Sequence, residues 1–490
     1  MRKLLIANRG EIAVRIARTC RVLGLPTVAV FSEADAQARH VHECDEAFAL
    51  GPAEAARSYL SIDAVLDAAR RSGADAVHPG YGFLSQNGDF ADAVAQAGLV
   101  FVGPPGDVHR RMGDKKGARR LMVASGVPVV PGYDGDDQHD STLLAEAERI
   151  GWPVMIKPSR GGGGKGMRVV ERRQDFAGAL AACRREALAA FGDDAMVLER
   201  RLLRPRHVEV QVLADGQGRV VHLLERECSI QRRHQKVVEE TPSPALASGQ
   251  REALCAAGVA AARAAGYVNA GTVEFLLDAG GRFHFLEMNT RLQVEHPVTE
   301  AVTGLDLVRL QLEVASGRAP SLPPGGVTAR GHALECRLYA EDPERDDLPS
   351  PGRVLHYAAP EGPGVRFDSG VEEGSEVTVH YDPLLAKLVT WGADRSESAA
   401  RMREALRQTV VLGVATNLAR LQAIVAHEAF LAGALHTGFI EEHFASRTPP
   451  PEPPDEALAA VALALGERGL EPAGHASDPF ASLGPWRLGA

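Results

Sequence analysis

Four consecutive glycines, Gly161-Gly162-Gly163-Gly164, sit between Arg160 and Lys165, just after an apolar run (154–156) that ends in Lys157. Glycine backbone can take positive φ, so its N–H groups can close over phosphate oxygens while the two lysines add compact charge. No Gly-Lys-Ser/Thr opens a helix here, so this is not a Walker loop. A second constellation is acidic. Residues 271–277 and 282–289 read as strands joined across Gly280-Gly281, a favoured two-residue hairpin turn. Counting back from that turn puts Glu274 opposite Glu287, about 5 Å apart at Cβ, where two bare carboxylates repel. A divalent cation removes that penalty. Asn289 and Arg291 follow Glu287 at two-residue spacing on the same face, and two carboxylates with an amide suit Mg²⁺ or Mn²⁺. Glu295, four residues beyond Arg291, completes a pair that could hold a small anion and take its proton. Gln231-Arg232-Arg233-His234-Gln235-Lys236 is a run of donor-bearing side chains, read as a surface patch.

Of the 54 basic residues only seven are lysines: Lys3, Lys115, Lys116, Lys157, Lys165, Lys236 and Lys387. A chain that meets most needs for positive charge with arginine is expected to keep lysine where a compact ammonium is wanted.

The elements that must position these groups fall into four stretches. Over the first hundred residues, short apolar runs (3–7, 27–31, 76–78, 100–102) alternate with helical patterns (11–23, 62–71), which indicates a parallel sheet wrapped by helices. Asn8-Arg9-Gly10-Glu11 is no dinucleotide fingerprint. Residues 114–320 carry most polar motifs among β-like segments, including 207–211. Residues 321–446 contain strand patterns at 377–380 and 387–390 and helical ones at 396–407 and 417–428. Five prolines among residues 449–454 make a stiff extended linker. A helix candidate (455–467) and a tail follow, expected to open a further domain.

The chain has 490 residues and a net charge of −10. The length calls for several domains, and the acidic balance disfavours nucleic-acid or membrane-surface binding. No apolar run approaches 18 residues, so no spanning helix is expected. The start is too short for a signal-peptide core, and a cytoplasmic location is expected. Six scattered cysteines without a C-x-x-C pair disfavour disulfides or structural zinc.

These motifs, in this order, resemble the biotin carboxylases of the ATP-grasp superfamily. The carrying residues are Ile6-Ala7-Asn8-Arg9-Gly10-Glu11-Ile12-Ala13, His78-Pro79-Gly80-Tyr81-Gly82-Phe83-Leu84-Ser85, Met112-Gly113-Asp114-Lys115, the glycine loop, Gln231 to Lys236, and Glu287-Met288-Asn289-Thr290-Arg291-Leu292-Gln293-Val294-Glu295-His296-Pro297. A narrower likeness to biotin-containing α subunits of 3-methylcrotonyl-CoA carboxylase and related acyl-CoA carboxylases rests on three features. They are residues 130–138, Arg160, and Val379-His380-Tyr381-Asp382-Pro383. The resemblance implies an α/β, α+β ATP-grasp fold: an α/β domain (1–113), an ATP-grasp domain (114–320) with a lid at about 131–203, and a β-rich C-terminal domain (321–446).

It also implies roles. Lys115, Lys157, Gly163 and Gly164 would bind the ATP phosphates. Glu199, Arg200, Leu202, His207, Gln231, His234 and Leu276 would line the rest of the nucleotide site. Glu274, Glu287 and Asn289 would hold the metal. Lys236, Arg291, Gln293 and Val294 would form the bicarbonate pocket, with Glu295 as base. Arg337 would stabilise the biotin enolate, with Tyr81 beside it. The implied reaction is ATP-dependent carboxylation of biotin through carboxyphosphate, in the context of leucine degradation if the narrower likeness holds.

Gln86 stands where the family usually has glutamate, Arg200 where lysine is common, and Lys165 replaces an arginine of some members. No lysine follows Lys387, so biotin is expected on a carrier domain outside this stretch, with a carboxyltransferase β subunit as a further partner. A homo-oligomer or a hetero-oligomeric complex is expected. Two other readings remain: another ATP-grasp ligase, which gives no reason for Lys236, Glu295 and Arg337 together, and a turnover-deficient regulatory subunit, which predicts a broken ligand set.

Overall fold

The computed structural model describes residues 1–159, 166–445 and 455–468. Residues Met1–Ala445 form one compact unit and Ser446–Ala490 a second. In the second, Asp455–Arg468 is a helix. Among the described residues no helix is long and apolar enough to cross a membrane.

The first unit begins with five parallel strands in the order Glu46–Gly51, Thr27–Ser32, Leu4–Ile6, Ala76–His78, Val100–Phe101. The three central strands are almost wholly buried, as continuous apolar runs require when helices cover both faces. Glu46–Gly51 is the strand that the sequence pattern misses: its side chains are mostly half-buried or exposed, so it lacks an apolar run. Helix Gly10–Leu23 stops at Gly24, whose φ of +64° supplies a left-handed cap. At the carboxyl ends of two central strands, the Asn8 amide donates to the carbonyls of Pro79 and Tyr81, both at 2.7 Å. A Cβ on Gly80 (φ +61°) would lie 2.9 Å from that amide nitrogen, so glycine is needed there.

Beyond this sheet lies a four-stranded one in the order Gly132–Tyr133, Met196–Arg200, Val154–Pro158, Arg168–Val170. Helices Asp140–Ile150 and Phe176–Phe191 bury Leu143, Ala147, Leu180 and Cys183 against it. This is the stretch expected as a lid.

The largest sheet has eight antiparallel strands in the order Phe283–Asn289, Asn269–Leu277, Arg206–Ala214, Val220–Arg232, Gln235–Thr241, His332–Tyr339, Leu384–Gly392, Val365–Ser369. Strands from either side of residue 320 share it, and its far half is covered by helices Arg395–Gln408 and Leu418–Ala426. The strand expected at 377–380 shrinks to Glu376–Val377; Thr378 and His380 instead form a turn-like contact from Thr378 Oγ1 to the His380 N–H.

Candidate active site

The acidic pair shows how local chemistry sets the site. The loop between strands Asn269–Leu277 and Phe283–Asn289 is not the two-residue turn expected. Asp278 pairs with Arg282 through its main chain, and its carboxylate accepts the N–H groups of Gly280 and Arg282. Gly281 takes φ +77°, as in a three-residue loop closed by a left-handed glycine. Phe275 therefore faces Phe285, one register away from the expected pairing, and a bulge after Glu274 restores it: Glu274 faces Glu287, as the sequence count proposed. Two errors of one residue cancel.

Glu274 is the hub. Its Oε1 accepts from Lys236 Nζ at 2.8 Å, Asn289 Nδ2 at 2.8 Å and Gln293 Nε2 at 3.0 Å, and its Oε2 lies 2.9 Å from His207 Nε2. Burial opposes its charge, but Lys236 and His207 outweigh burial and hold the carboxyl below the ordinary range. Glu287 moves the other way: burial, and then the charge of Glu274, raise it. Lys115 faces Glu287 electrostatically, and burial lowers that ammonium. Two opposed carboxylates and the Asn289 Oδ1 are the oxygens that Mg²⁺ or Mn²⁺ would take; here Asn289 turns its Nδ2 to Glu274 and its Oδ1 toward Arg291.

Glu295 lies at the start of helix His296–Thr303 and is fully buried. Its Oε1 accepts from Lys236 at 2.7 Å and its Oε2 from Arg337 at 3.0 Å. Burial alone would raise the carboxyl; Lys236, Arg337 and Arg226 together hold it well below the usual range. Arg291 forms no direct ion pair with Glu295, although Glu295 is the largest charge favouring its guanidinium. The Arg291 guanidinium donates to Gln86 Oε1 at 2.8 Å, Gln293 Oε1 at 2.7 Å and the Leu292 carbonyl at 3.1 Å. Gln86 thus supplies a neutral acceptor to this arginine, and Asn289 Oδ1 lies 3.4 Å from it.

The donor run 231–236 is not one surface patch. It is a hairpin: Gln231 pairs with Lys236 and Arg232 with Gln235, leaving Arg233 and His234 at the tip, both at positive φ and both exposed. Gln231 turns inward, with its Nε2 2.6 Å from His207 Nδ1, while Lys236 reaches Glu209, Glu274 and Glu295. Strain of this kind in non-glycine residues persists where surrounding structure enforces it.

Lys157 pairs with Glu199 inside the four-stranded sheet, and Arg119 adds a second contact to Glu199 at 3.4 Å. The Arg200 guanidinium turns away to the Ile150 carbonyl at 2.9 Å, where it caps a helix end. Leu202 and Leu276 are half-buried, and Leu276 lies beside His207 in the strand register. Tyr81 is half-buried, its ring 5.9 Å from Lys387 Nζ. Gly163 and Gly164 lie outside the described residues.

Sequence reasoning missed a second layer. Arg226, fully buried, donates to Glu209 at 2.6 Å, Gln211 at 2.7 Å, Thr299 at 3.0 Å and Thr272 at 3.1 Å. Glu209 in turn accepts Lys236 at 2.5 Å, and Glu239 accepts Arg337 Nε at 2.5 Å. The one available signal was the alternation His207, Glu209, Gln211, which places three polar groups on one strand face.

Comparison with known proteins agrees with this architecture. Residues 1–108 match the biotin carboxylase N-terminal domain. Residues 114–322 match the ATP-binding domain of the carbamoyl-phosphate synthase L chain, and residues 335–442 the biotin carboxylase C-terminal domain. The methylcrotonoyl-CoA carboxylase subunit alpha of Dictyostelium discoideum is 48% identical over 99% of this chain and 70% of its own length. The Pseudomonas aeruginosa biotin carboxylase is 50% identical over 90% of this chain and 98% of its own. The biotin carboxylase of Campylobacter jejuni, solved as a β-γ-ATP complex, superposes with a TM-score of 0.87 at 41% identity, covering 90% of this chain and 99% of that one. The chain belongs to the biotin carboxylase family. It spans 60% of the Arabidopsis thaliana and 62% of the rat methylcrotonoyl-CoA carboxylase alpha subunits. Those two subunits and the Dictyostelium one are named mitochondrial, which overturns the cytoplasmic location expected from the opening residues; a short apolar start carries no information on compartment.

Proposed function

We propose that this chain carboxylates biotin with ATP and bicarbonate, yielding N1′-carboxybiotin, and that it does so for an acyl-CoA carboxylase. The observation that carries the reading is Glu295, a buried carboxylate held between Lys236 and Arg337 and flanked in sequence by Gln293 and Val294. Lys236, Arg291 and Gln293 converge on the space beside it, the charge and donor set that a small oxyanion needs. A bicarbonate lying there shares the positive charge of Lys236 and Arg291. That relieves Glu295 of part of the field depressing it, so the carboxylate gains the basicity to take the bicarbonate proton. The deprotonated anion then attacks the γ-phosphorus of ATP. Lys115 and Lys157 would face the phosphates, and Glu274, Glu287 and Asn289 would hold a divalent cation, which would supply charge neutralisation at the transferring phosphoryl group. Carboxyphosphate breaks down to CO₂ and phosphate beside Arg337; the released phosphate takes the N1′ proton of biotin, the guanidinium favours the resulting ureido enolate, and N1′ attacks CO₂, with Tyr81 assigned to the biotin end.

The residues are grouped as an α/β domain (1–113), an ATP-grasp domain (114–320) and a C-terminal domain (321–446). Biotin arrives on a carrier domain, and a carboxyltransferase subunit accepts the carboxyl group. The likeness to methylcrotonoyl-CoA carboxylase subunits favours 3-methylcrotonyl-CoA or a related acyl-CoA, and thereby leucine degradation. The test is ATP hydrolysis with Mg²⁺, omitting bicarbonate and free biotin in turn. Turnover that requires bicarbonate and rises with biotin is expected; nucleotide binding without bicarbonate-dependent turnover would overturn the reading.

A further inference from the structure

Lys387 is one of the seven lysines, yet no step above uses it. It lies on strand Leu384–Gly392, directly opposite Arg337 on one side and Asp368 on the other, so its side chain shares the face that presents Arg337 to Glu295. The residue is completely buried. Its ammonium donates to the Val294 carbonyl at 2.9 Å and pairs with Glu11 Oε2 at 3.1 Å. Glu11 itself is buried at the start of helix Gly10–Leu23, so one ammonium ties the parallel N-terminal sheet region to the turn that carries Gln293, Val294 and Glu295.

That turn is short, and its main chain has few other anchors at this point. The His296 ring nitrogen Nδ1 lies 2.8 Å from the Gln293 carbonyl, which fixes one peptide; Lys387 holds the next. A peptide is planar, so holding the Val294 C=O also sets the direction of the Glu295 N–H. Rotation of that plane would swing the Val294 main chain and the root of the Glu295 side chain together. A second carboxylate, Glu335, is also near in field: its two oxygens are buried and accept no hydrogen bond among the described residues, and Lys387 is the largest charge opposing its burial. A compact ammonium suits this crowded position, where a guanidinium would need more room.

We propose that Lys387 is a positioning residue of the bicarbonate pocket, holding the Val294–Glu295 peptide in place through the Val294 carbonyl and held there in turn by Glu11. This rests on the assignment of residues 291–295 to bicarbonate. It places the control of bicarbonate affinity outside the set of groups that touch the anion, and it predicts a selective effect. Loss of the anchor loosens the anion site and leaves the nucleotide site, built on other strands, as it is.

The test uses the full chain as parent, Lys387→Met and Glu11→Gln, each checked for folding by circular dichroism. All measurements are made at pH 8, above the value of about 7 to which the Glu11 carboxyl is raised, so that Glu11 is ionised in the parent; KM values for bicarbonate and MgATP come from bicarbonate-dependent ATP hydrolysis, and bicarbonate binding from ¹³C-bicarbonate NMR. Lys387→Met is expected to raise the bicarbonate KM about tenfold or more, since a charged hydrogen bond to a buried acceptor is lost, and to keep the MgATP KM within about twofold. Glu11→Gln is expected to shift the bicarbonate KM the same way by a smaller factor. A folded Lys387→Met with both KM values unchanged, or both raised together, overturns the proposal. If Lys387→Met does not fold, Glu11→Gln decides: a bicarbonate-selective shift supports the proposal, and no shift overturns it. A parent that binds ¹³C-bicarbonate without turning over refutes the proposed reaction alone, and the two variants are then compared by bicarbonate binding. A parent that neither binds nor turns over refutes both.

Discussion

Glu11→Gln also makes a stability prediction whose size can be worked out. Burial pushes the Glu11 carboxyl from 4.5 up to about 7, against the pull of Lys387, and the side chain is only 3% exposed. A carboxyl with a raised pKa in the folded protein binds its proton more tightly there than in the unfolded chain. Between pH 4.5 and about 7 the unfolded chain has released the proton while the folded one retains it, so stability falls as pH rises through that window. Below it and above it the group contributes no slope. The span corresponds to roughly 3 kcal/mol at ~1.4 kcal/mol per pH unit. For a unit of residues Met1–Ala445, an unfolding entropy of ~2.1 cal/mol/K per residue converts this to a melting-temperature difference of about 3–4 °C. Glutamine keeps the shape and cannot ionise. The melting temperature of Glu11→Gln relative to the parent should therefore rise by about that much between pH 5 and pH 8, with the two closest at the acid end. Differential scanning fluorimetry at fixed scan rate and constant ionic strength measures it. A difference that is flat with pH, or that falls as pH rises, refutes the reasoning.

The site offers further outcomes. Glu295→Gln keeps the side chain's shape, turns an NH₂ toward one of its two donors, Lys236 or Arg337, and removes the proton acceptor; bicarbonate-dependent ATP hydrolysis should drop by about 10²–10⁴, with MgATP affinity unchanged in equilibrium binding. Glu287→Gln removes one of the opposed carboxylates, so the Mg²⁺ concentration for half-maximal turnover should rise about tenfold or more, read from a metal titration. Gln86→Glu places a carboxylate where a neutral acceptor lies 2.8 Å from Arg291 Nε. It competes with bicarbonate for the same guanidinium, and the bicarbonate KM should rise a few-fold, with the MgATP KM constant.

What the sequence makes legible follows from the range of the interactions. The buried parallel strands of the first hundred residues and the Glu274–Glu287 opposition depend on neighbours in sequence or on one hairpin, and both are readable. Even there, the correct opposition rests on a turn and a bulge that the residue pattern does not distinguish, because Asp278 reorganises the loop with its side chain. Periodicity fails where half-buried edge strands carry mixed residues, as in Glu46–Gly51. It also fails in the run 231–236, where polar type says surface but a two-residue turn sends alternate members inward and outward.

The partners of Glu295 were legible only through family resemblance, and the reason is distance along the chain. Lys236 and Arg337 reach it across 59 and 42 residues, and Glu239 reaches Arg337 across 98. Each is a charged residue inside a strand, which composition alone reads as a fault in the core. Burial of such a residue is costly unless a partner arrives from elsewhere, so every lone charge in a strand pattern demands a second one. Applied here, that rule pairs Arg226 with Glu209, Arg337 with Glu239 and Lys387 with Glu11. The charges on Lys236 and Arg337 then meet at Glu295 because two neighbouring strands, Gln235–Thr241 and His332–Tyr339, present them to one face. The same low dielectric that penalises each charge alone makes their mutual orientation rigid, and a rigid array of donors around one carboxylate is what proton transfer from a small anion requires.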